Sequence, residues 1–230
     1  MGPGSPQTER IIDSSLLGSL PPPLRDRIVN EAVPLDVPAG STIYRDEDAP
    51  RCALVISGLV RVMLSASDGR SVTVRYARAG ELLGVPVIVA GPVPVSVHLV
   101  TPARLLMLNV RTMEHLGRTD PAVAWMFARE IARRLYDTLD AVADTAFGSL
   151  RQRVARHLLD LAITDREDRL VVPATQQELA EAVGSARPAV ARVIAELRAL
   201  GLLVSTPPGI AILDAAGLHA QTWSYQMSHG

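Results

Sequence analysis

The stretch TQQELAEAVGSARPAVARVIAEL, residues 175–197, constrains the fold of this chain more than any other segment. Thr175 precedes an apolar run and Glu178 follows three residues later, the spacing of a capping box at a helix start. Leu179, Ala180 and Val183 give that helix one apolar face. Gly184 enters left-handed backbone at little cost, so the helix ends there. Ser185 is placed to cap a second helix, in whose first turn Pro188 is tolerated. Val190, Val193, Ile194 and Leu197 recur at helical spacing and face inward. Arg187 and Arg192 point elsewhere, along with Ala189 and Ala191, whose small side chains let backbone approach a groove floor. The pattern is a helix-turn-helix. Residues 202–213, LLVSTPPGIAIL, add two β-prone runs around a Pro-Pro-Gly turn, which reads as a hairpin, so the expected unit is a winged helix.

Upstream the punctuation changes. Residues 9–31 read as two short helices separated by a Pro21-Pro22-Pro23 stop. From Val33 to Leu108 short β runs recur between Gly, Pro and Asp-Gly turns: Thr42–Tyr44, Ala53–Ile56, Val60–Leu64, Val72–Tyr76, Val95–Val100 and Leu105–Leu108. Many short strands with turn signals indicate a sandwich or barrel. A long helix then opens at Asp120-Pro121 and meets no breaker before Ala143, with Asp144 to Ser149 as the expected hinge. Along it Ala128, Ile131, Leu135, Thr138 and Val142 repeat at intervals of three and four, a coiled-coil seam. A helix packed on its own barrel produces a similar stripe, so spacing alone leaves both arrangements open.

T-x-Q-E-L-A-x-x-V-G-x-x-R-x-x-V-x-R-x-I-x-x-L resembles the signature of the CRP/FNR transcription regulators. Gly40, Ser57-Gly58, Asp68-Gly69 and Gly80-Glu81 with Gly84 sit where that family's effector barrel has its turns, and Ala132-Arg133-Arg134-Leu135 and Ala146-Phe147 also match. The resemblance runs from about residue 10 to about residue 220. It implies an α+β chain: an N-terminal double-stranded β-helix (jelly-roll, cyclic-nucleotide-binding-like) domain over 1–119, a dimerisation helix and hinge over 120–147, and a C-terminal winged helix-turn-helix domain over 148–230. It also implies a parallel homodimer seamed by Ala128, Ile131, Leu135, Thr138 and Val142. The expected partners are pseudo-palindromic double-stranded DNA, a second copy of the chain, RNA polymerase and a small-molecule effector.

Net charge is −1, and from Gly148 onward arginines and acidic residues balance, so DNA binding requires a local positive face rather than a basic chain. Arg151, Arg153 and Arg156 on one helix, with Arg187 and Arg192 on another, are the candidates. Cys52 is the only cysteine, which excludes an intrachain disulfide and a thiolate cluster for zinc or iron–sulfur, and no cofactor or metal is expected. No phosphate loop, metal-ligand cluster or nucleophile motif is present, so we expect no catalytic residues and no enzyme. With no basic leader before an apolar core, a cytoplasmic location is expected. Residues 82–103 lack any charged side chain and are long enough to span a bilayer, but Pro86, Pro92, Pro94, Gly84 and Gly91 break any helix there, so no membrane span is expected.

For DNA, the resemblance carries base reading onto Arg187 and Arg192, with Ser185, Pro188 and Ala189 beside them, and phosphate contact onto Thr175, Gln176 and Gln177. The family's glutamate after the first arginine is Pro188 here, which cannot accept from cytosine. For the effector, the family's cassette uses a Gly-Glu pair for the ribose and an Arg-Ser or Arg-Thr pair for the cyclic phosphate. Gly80 and Glu81 match the first; Val93-Pro94-Val95 stands where the arginine belongs. Thr138 matches a nucleobase contact, and Leu139 replaces its polar neighbour. The pocket residues are therefore Gly80, Glu81, Leu82, Val95, Thr138 and Leu139, with Glu81 left without a nearby arginine. Cyclic AMP is not expected in the usual mode. The alternatives are a nucleotide-responsive regulator with a non-standard binding mode, or a regulatory-subunit-like nucleotide-binding module. Haem on His98 and redox sensing at Cys52 are weaker options.

Overall fold

A computed structural model describes residues 5–45, 48–65, 71–92, 94–165, 169–206 and 209–222. Its contacts divide the chain into two compact units, Met1–Asp137 and Thr138–Gly230. Asp68-Gly69, Val93 and the Pro207-Pro208 turn lie outside the described residues.

The first unit opens with α1 (Pro6–Ser14), a 3-10 turn over Leu16–Ser19, and α2 (Pro22–Asn30). Pro22 and Pro23 are not a stop. They form the first turn of α2, where a missing N–H removes no intrahelical bond. Then come β1 (Val33–Val37), β2 (Thr42–Tyr44), β3 (Cys52–Ser57), β4 (Val60–Ser65), β5 (Ser71–Ala77) and β6 (Leu82–Leu83). The short α3 (Val85–Ala90) precedes β7 (Val95–Leu99), β8 (Ala103–Leu108), α4 (Val110–Thr119) and α5 (Pro121–Phe147). The expectation that no helix forms between 82 and 103 is corrected by α3. Its breakers sit at its ends, Gly84 and Gly91 outside and Pro86 in the first turn. Gly84 has φ +87°, and a side chain there would overlap the Arg51 carbonyl oxygen.

The strands form two antiparallel sheets, ordered β1-β8-β3-β6 and β2-β7-β4-β5. β3 reads as a continuous apolar run because both of its faces are covered. Ala53 and Val55 join Val60, Val62, Val97, Leu99 and Leu105 in the core between the sheets. Cys52, Leu54 and Ile56 turn the other way, against Leu17, Ile28, Met113, Val123, Met126 and Phe127 of the helical layer. Register places Arg75 of β5 opposite Val62 and Ala77 opposite Val60, so Arg75 shares the inward face with these three core residues.

The second unit contains α6 (Leu150–Leu161), β9 (Ile163–Thr164), β10 (Leu170–Val172), α7 (Gln176–Ala182), α8 (Arg187–Ala199), β11 (Leu203–Thr206), β12 (Gly209–Ile212) and α9 (Ala215–His219). The hinge is shorter than expected. α5 continues to Phe147, and only Gly148 and Ser149 separate it from α6, whose start Ser149 caps reciprocally with Gln152. Sheet order β11-β12-β10-β9 sets the expected hairpin on a further pair of strands. Val154, Leu158, Leu179, Val190, Ile194, Leu197 and Leu203 fill the core.

Candidate nucleic-acid interface and effector site

The reading head is built from α7, α8 and the β11–β12 hairpin. Thr175 accepts from Glu178 N while the Glu178 carboxylate accepts from Thr175 N at 2.7 Å, completing the capping box. The Thr175 hydroxyl is thereby committed to the cap, also donating to Glu178 Oε2 at 2.8 Å. Gln177 Nε2 donates to Glu181 Oε1 at 2.8 Å, so this side chain too is held along its own helix. Gly184 takes φ +64°, the left-handed turn expected between the helices.

The cap of α8 differs from expectation. Its N-cap is Ala186 rather than Ser185, and no side chain closes it. Ser185 instead sends its backbone N–H to Ala180 O at 2.9 Å, which completes the end of α7. Replacing Ala186 by serine should restore a cap and raise stability by about 1 kcal/mol, read as a higher thermal midpoint; an unchanged or lower midpoint would count against this cap geometry.

Val190, Val193, Ile194 and Leu197 are buried on one face of α8, while Arg187, Pro188 and Arg192 are exposed and Ala189 is half-buried. Ala195, absent from the sequence expectation, is also exposed, and a helical turn of about 100° per residue puts it on the Pro188–Arg192 face. Neither Arg187 nor Arg192 is engaged by a carboxylate among the described residues. At the far end of α8, Arg198 Nη1 donates to Ser205 Oγ at 2.8 Å, tying the helix to β11. A groove of about 470 Å³ lies between the start of α7 and the hairpin, lined by Thr175, Gln176, Ser205, Thr206 and Gly209. On α6, Arg151, Arg153 and Arg156 are half-buried, and Arg153 donates to Gly148 O at 2.9 Å. That helix is a poorer positive face than α8.

The long helix separates two stripes. Val123, Met126, Phe127 and Glu130 are buried in the first unit. Ala128, Ile131, Leu135, Thr138 and Val142 are all exposed, Leu135 at 57%. The seam is therefore distinct from the stripe that packs on the chain's own barrel. Trp125, Tyr136 and Leu139 are exposed beside it.

Around Glu81 the structure corrects the sequence reading: this carboxylate has arginine neighbours. Glu81 Oε2 accepts from Arg75 Nη1 at 2.9 Å and from Arg134 Nη2 at 3.1 Å, and Oε1 accepts from Arg133 Nη2 at 3.0 Å. Arg75 also donates to Leu82 O at 2.9 Å. Arg134 Nε donates to Glu130 Oε1 at 2.6 Å and Nη1 to Asp137 Oδ2 at 3.0 Å. Glu130 is 1% exposed. Burial, with the Arg134 guanidinium nearby, pulls Arg75 down to about 10. These arginines lie outside the segment that follows Glu81, where the family's cassette carries its cation. Arg75 reaches the site from an adjacent strand and Arg133 and Arg134 from a helix more than fifty residues away. The alternation of β5, with Ala77 inward, was the signal that placed Arg75 inside.

The other effector candidates scatter. Gly80 makes the turn before Glu81, with φ +87°. Leu82 contributes its carbonyl, but its side chain packs under the helices with Cys52 and Leu54. Val95 borders the core between the sheets. Thr138 and Leu139 lie on exposed turns of α5 in the second unit. His98 has both ring nitrogens occupied, Nδ1 with Thr42 Oγ1 and Nε2 with Ser96 Oγ, each at 2.9 Å, an arrangement that opposes haem ligation. Burial, then Arg61 and Arg45, lowers its pKa. Cys52 is buried, and burial pushes its thiol up to about 12, far from a reactive thiolate. Among the described residues no group of three or more His, Cys, Asp or Glu side chains could hold a metal, and no helix is long and apolar enough to cross a membrane.

Comparison with known proteins joins these features. Residues 34–120 match the model of the cyclic nucleotide-binding domain, and residues 152–221 that of the Crp-like helix-turn-helix domain. The transcriptional regulator LdrP of Thermus thermophilus is 32% identical over 189 residues, covering 80% of this chain and 93% of LdrP. A CRP-like cAMP-activated global transcriptional regulator of Mycobacterium tuberculosis is 27% identical, covering 83% and 88% of the two chains. The crystal structure of a CRP-family transcriptional regulator, also from Thermus thermophilus, superposes with a TM-score of 0.64 at 30% identity, covering 81% of this chain and 95% of that one. With a nucleotide-binding-type β-sandwich, a long helix and a helix-turn-helix with a small wing sheet in that order, the chain belongs to the CRP/FNR family of DNA-binding transcription regulators.

Proposed function

We propose that this regulator acts as a homodimer on a pseudo-palindromic operator, with 1–119 as effector domain, 120–147 as dimerisation helix and hinge, and 148–230 as reading head. The observation that carries the reading is the outer face of α8, where Arg187 and Arg192 stand exposed and, among the described residues, unengaged by carboxylates beside Pro188 and Ala189. Arginine donates bidentately to guanine O6 and N7 in the major groove, so each guanidinium is suited to one guanine. Gln176, Ser205 and Thr206 present polar side chains to the groove beside α7, where a backbone phosphate can be received, and the Thr175 and Gln177 contacts would require their present bonds to open. The exposed seam along α5 supplies the second copy, and two heads related by a two-fold axis meet half-sites about 34 Å apart. RNA polymerase is the downstream partner, and the cytoplasm the compartment where both meet. Selection from a random DNA pool tests this: a two-fold-related pair of guanine-containing half-sites is expected, and recovery of no consensus would refute sequence-specific reading.

The effector domain, on our reading, does not hold cyclic AMP in the family's usual manner. α3 is VPVIVA and carries no cation, while a cyclic phosphate leaving water needs one or several aligned donors. The guanidinium groups that do exist nearby, Arg75, Arg133 and Arg134, already face Glu81, Glu130 and Asp137, so the cluster has no surplus positive charge. Isothermal titration should give no micromolar dissociation constant for cyclic AMP or cyclic GMP. Tight binding coupled to stronger operator affinity would assign the protein the nucleotide response named for its Mycobacterium tuberculosis relative. The convergence of three arginines on one carboxylate keeps a second reading in play, an effector bound in a non-standard mode.

A further inference from the structure

The arginines around Glu81 are held by more than Glu81. Arg75 is fixed by the Leu82 carbonyl, and Arg134 by the buried Glu130 and by Asp137. Take the Glu81 carboxylate away and both guanidinium groups keep an anchor. Charge changes more than shape: three arginines would then face two carboxylates, Glu130 and Asp137, leaving one positive charge uncompensated. The site is also sheltered. Side-chain exposure is 17% at Arg75, 13% at Arg134 and 20% at Glu81, against 48% at Arg133, so an uncompensated guanidinium at Arg75 or Arg134 is costly in a way that a surface one is not. The donors are arrayed for two oxygens of one group, Arg75 and Arg134 on one and Arg133 on the other. Glu81 itself sits in the turn after Gly80, outside the regular strands, whereas the arginines rise from β5 and α5. The backbone of this turn is itself fixed, Glu81 N donating to Arg78 O and Glu81 O accepting from Val55 N, each at 3.0 Å, so it is the Glu81 side chain that is free to leave the arginines.

We propose that Arg75, Arg133 and Arg134 form an anion site whose resident ligand is the protein's own Glu81, and that the effector is a small molecule whose carboxylate or phosphoryl group takes that place. This deepens the effector-dependent reading and rests on it. It differs from a cyclic phosphate seated on α3, because the cations come from β5 and α5. Exchange of one carboxylate for another anion leaves the charge of the cluster balanced and frees the Glu81 side chain. Since α5 carries two of the three arginines, the exchange acts directly on the helix that bears the exposed seam. The ligand must compete with an intramolecular group, so weak affinity for simple anions in the parent protein is part of the proposal.

Glu81→Gln removes the resident charge while keeping shape. Titration of parent and variant with inorganic phosphate and with acetate, in low-chloride buffer at matched ionic strength, should show at least tenfold tighter binding of one probe to the variant. Adding Arg75→Gln should abolish that gain. A preference for phosphate identifies a phosphoryl ligand, and a preference for acetate a carboxylate. Equal binding to parent and variant overturns the proposal, as does a gain that survives Arg75→Gln. Should Glu81→Gln fail to fold, Glu81→Ala is melted in acetate and in chloride. A larger acetate-specific rise in midpoint than the parent shows supports the site, and an equal rise overturns it. Neither measurement involves DNA, so failure here is separable from failure of the operator-reading assignment.

Discussion

A chain carrying Leu135→Glu is expected to be monomeric at concentrations where the parent is a dimer. Leu135 is central to the exposed stripe of α5, with Ile131 and Val142 along the same face. In a parallel pair of helices the two copies of a seam residue meet at the two-fold axis. The substitution thus places two carboxylates against each other in an apolar seam. An unpaired buried charge costs on the order of 3–5 kcal/mol, enough to raise the dimer dissociation constant a hundredfold or more. Within one chain the same position is 57% exposed, so the fold itself should lose little. Light scattering beside circular dichroism separates the two effects: mass halves while the spectrum stays that of the folded parent, and the thermal midpoint falls only by the lost association energy. A variant as dimeric as the parent would move the contact off this stripe, towards Trp125 and Tyr136, which are exposed on a neighbouring line of the helix.

How far the sequence alone leads depends on whether a feature is local. The capping box at Thr175, the left-handed Gly184 and the buried stripe Val190–Leu197 are each set by residues within a turn or two, and all were legible. The strands bounded by glycine and proline were legible for the same reason. Failures came where a local signal had two outcomes. Pro22, Pro23 and Pro86 are helix breakers in the interior but helix starters in the first turn, and only the strand and helix boundaries decide which applies. Ser185 and Ala186 are both near the start of α8, and serine is the better cap by type. The geometry of the turn nonetheless spends Ser185 on the end of α7. Features that depend on tertiary placement were harder to read. Arg75 is six residues before Glu81 and was readable from the alternation of β5, whereas nothing near Glu81 announces Arg133 and Arg134, which arrive from α5 more than fifty residues on. Nor does the seam spacing distinguish a self-packed helix from an unpartnered one. The exposure of Leu135 beside the burial of Met126 and Phe127 makes that distinction.

Arg192→Ala should relax one symmetric pair of positions in the operator while leaving the rest of the consensus intact. Arg192 is exposed near the middle of the outer face of α8, flanked by the small Ala191 and Ala195, so backbone can come close enough for its guanidinium to reach a base edge. A bidentate contact to guanine carries about 1–3 kcal/mol of discrimination per half-site, and a dimer applies it twice, so the full operator should lose roughly thirtyfold to ten-thousandfold in affinity. Loss of a phosphate contact behaves differently: binding weakens about equally on every sequence, and the salt dependence falls by about one phosphate per head. Pro188 sharpens the comparison. It occupies the first turn of α8 next to Arg187 and offers neither a donor nor an acceptor beyond its carbonyl, so no carboxylate reads cytosine from that position. The consensus selected by the parent should therefore be less restrictive at the base pair facing Pro188 than at the one facing Arg192. Pool selection on both proteins, at two salt concentrations, gives the answer directly. If Arg192→Ala lowers affinity uniformly and flattens the salt dependence while the consensus is unchanged, Arg192 holds the backbone, and base reading passes to Arg187.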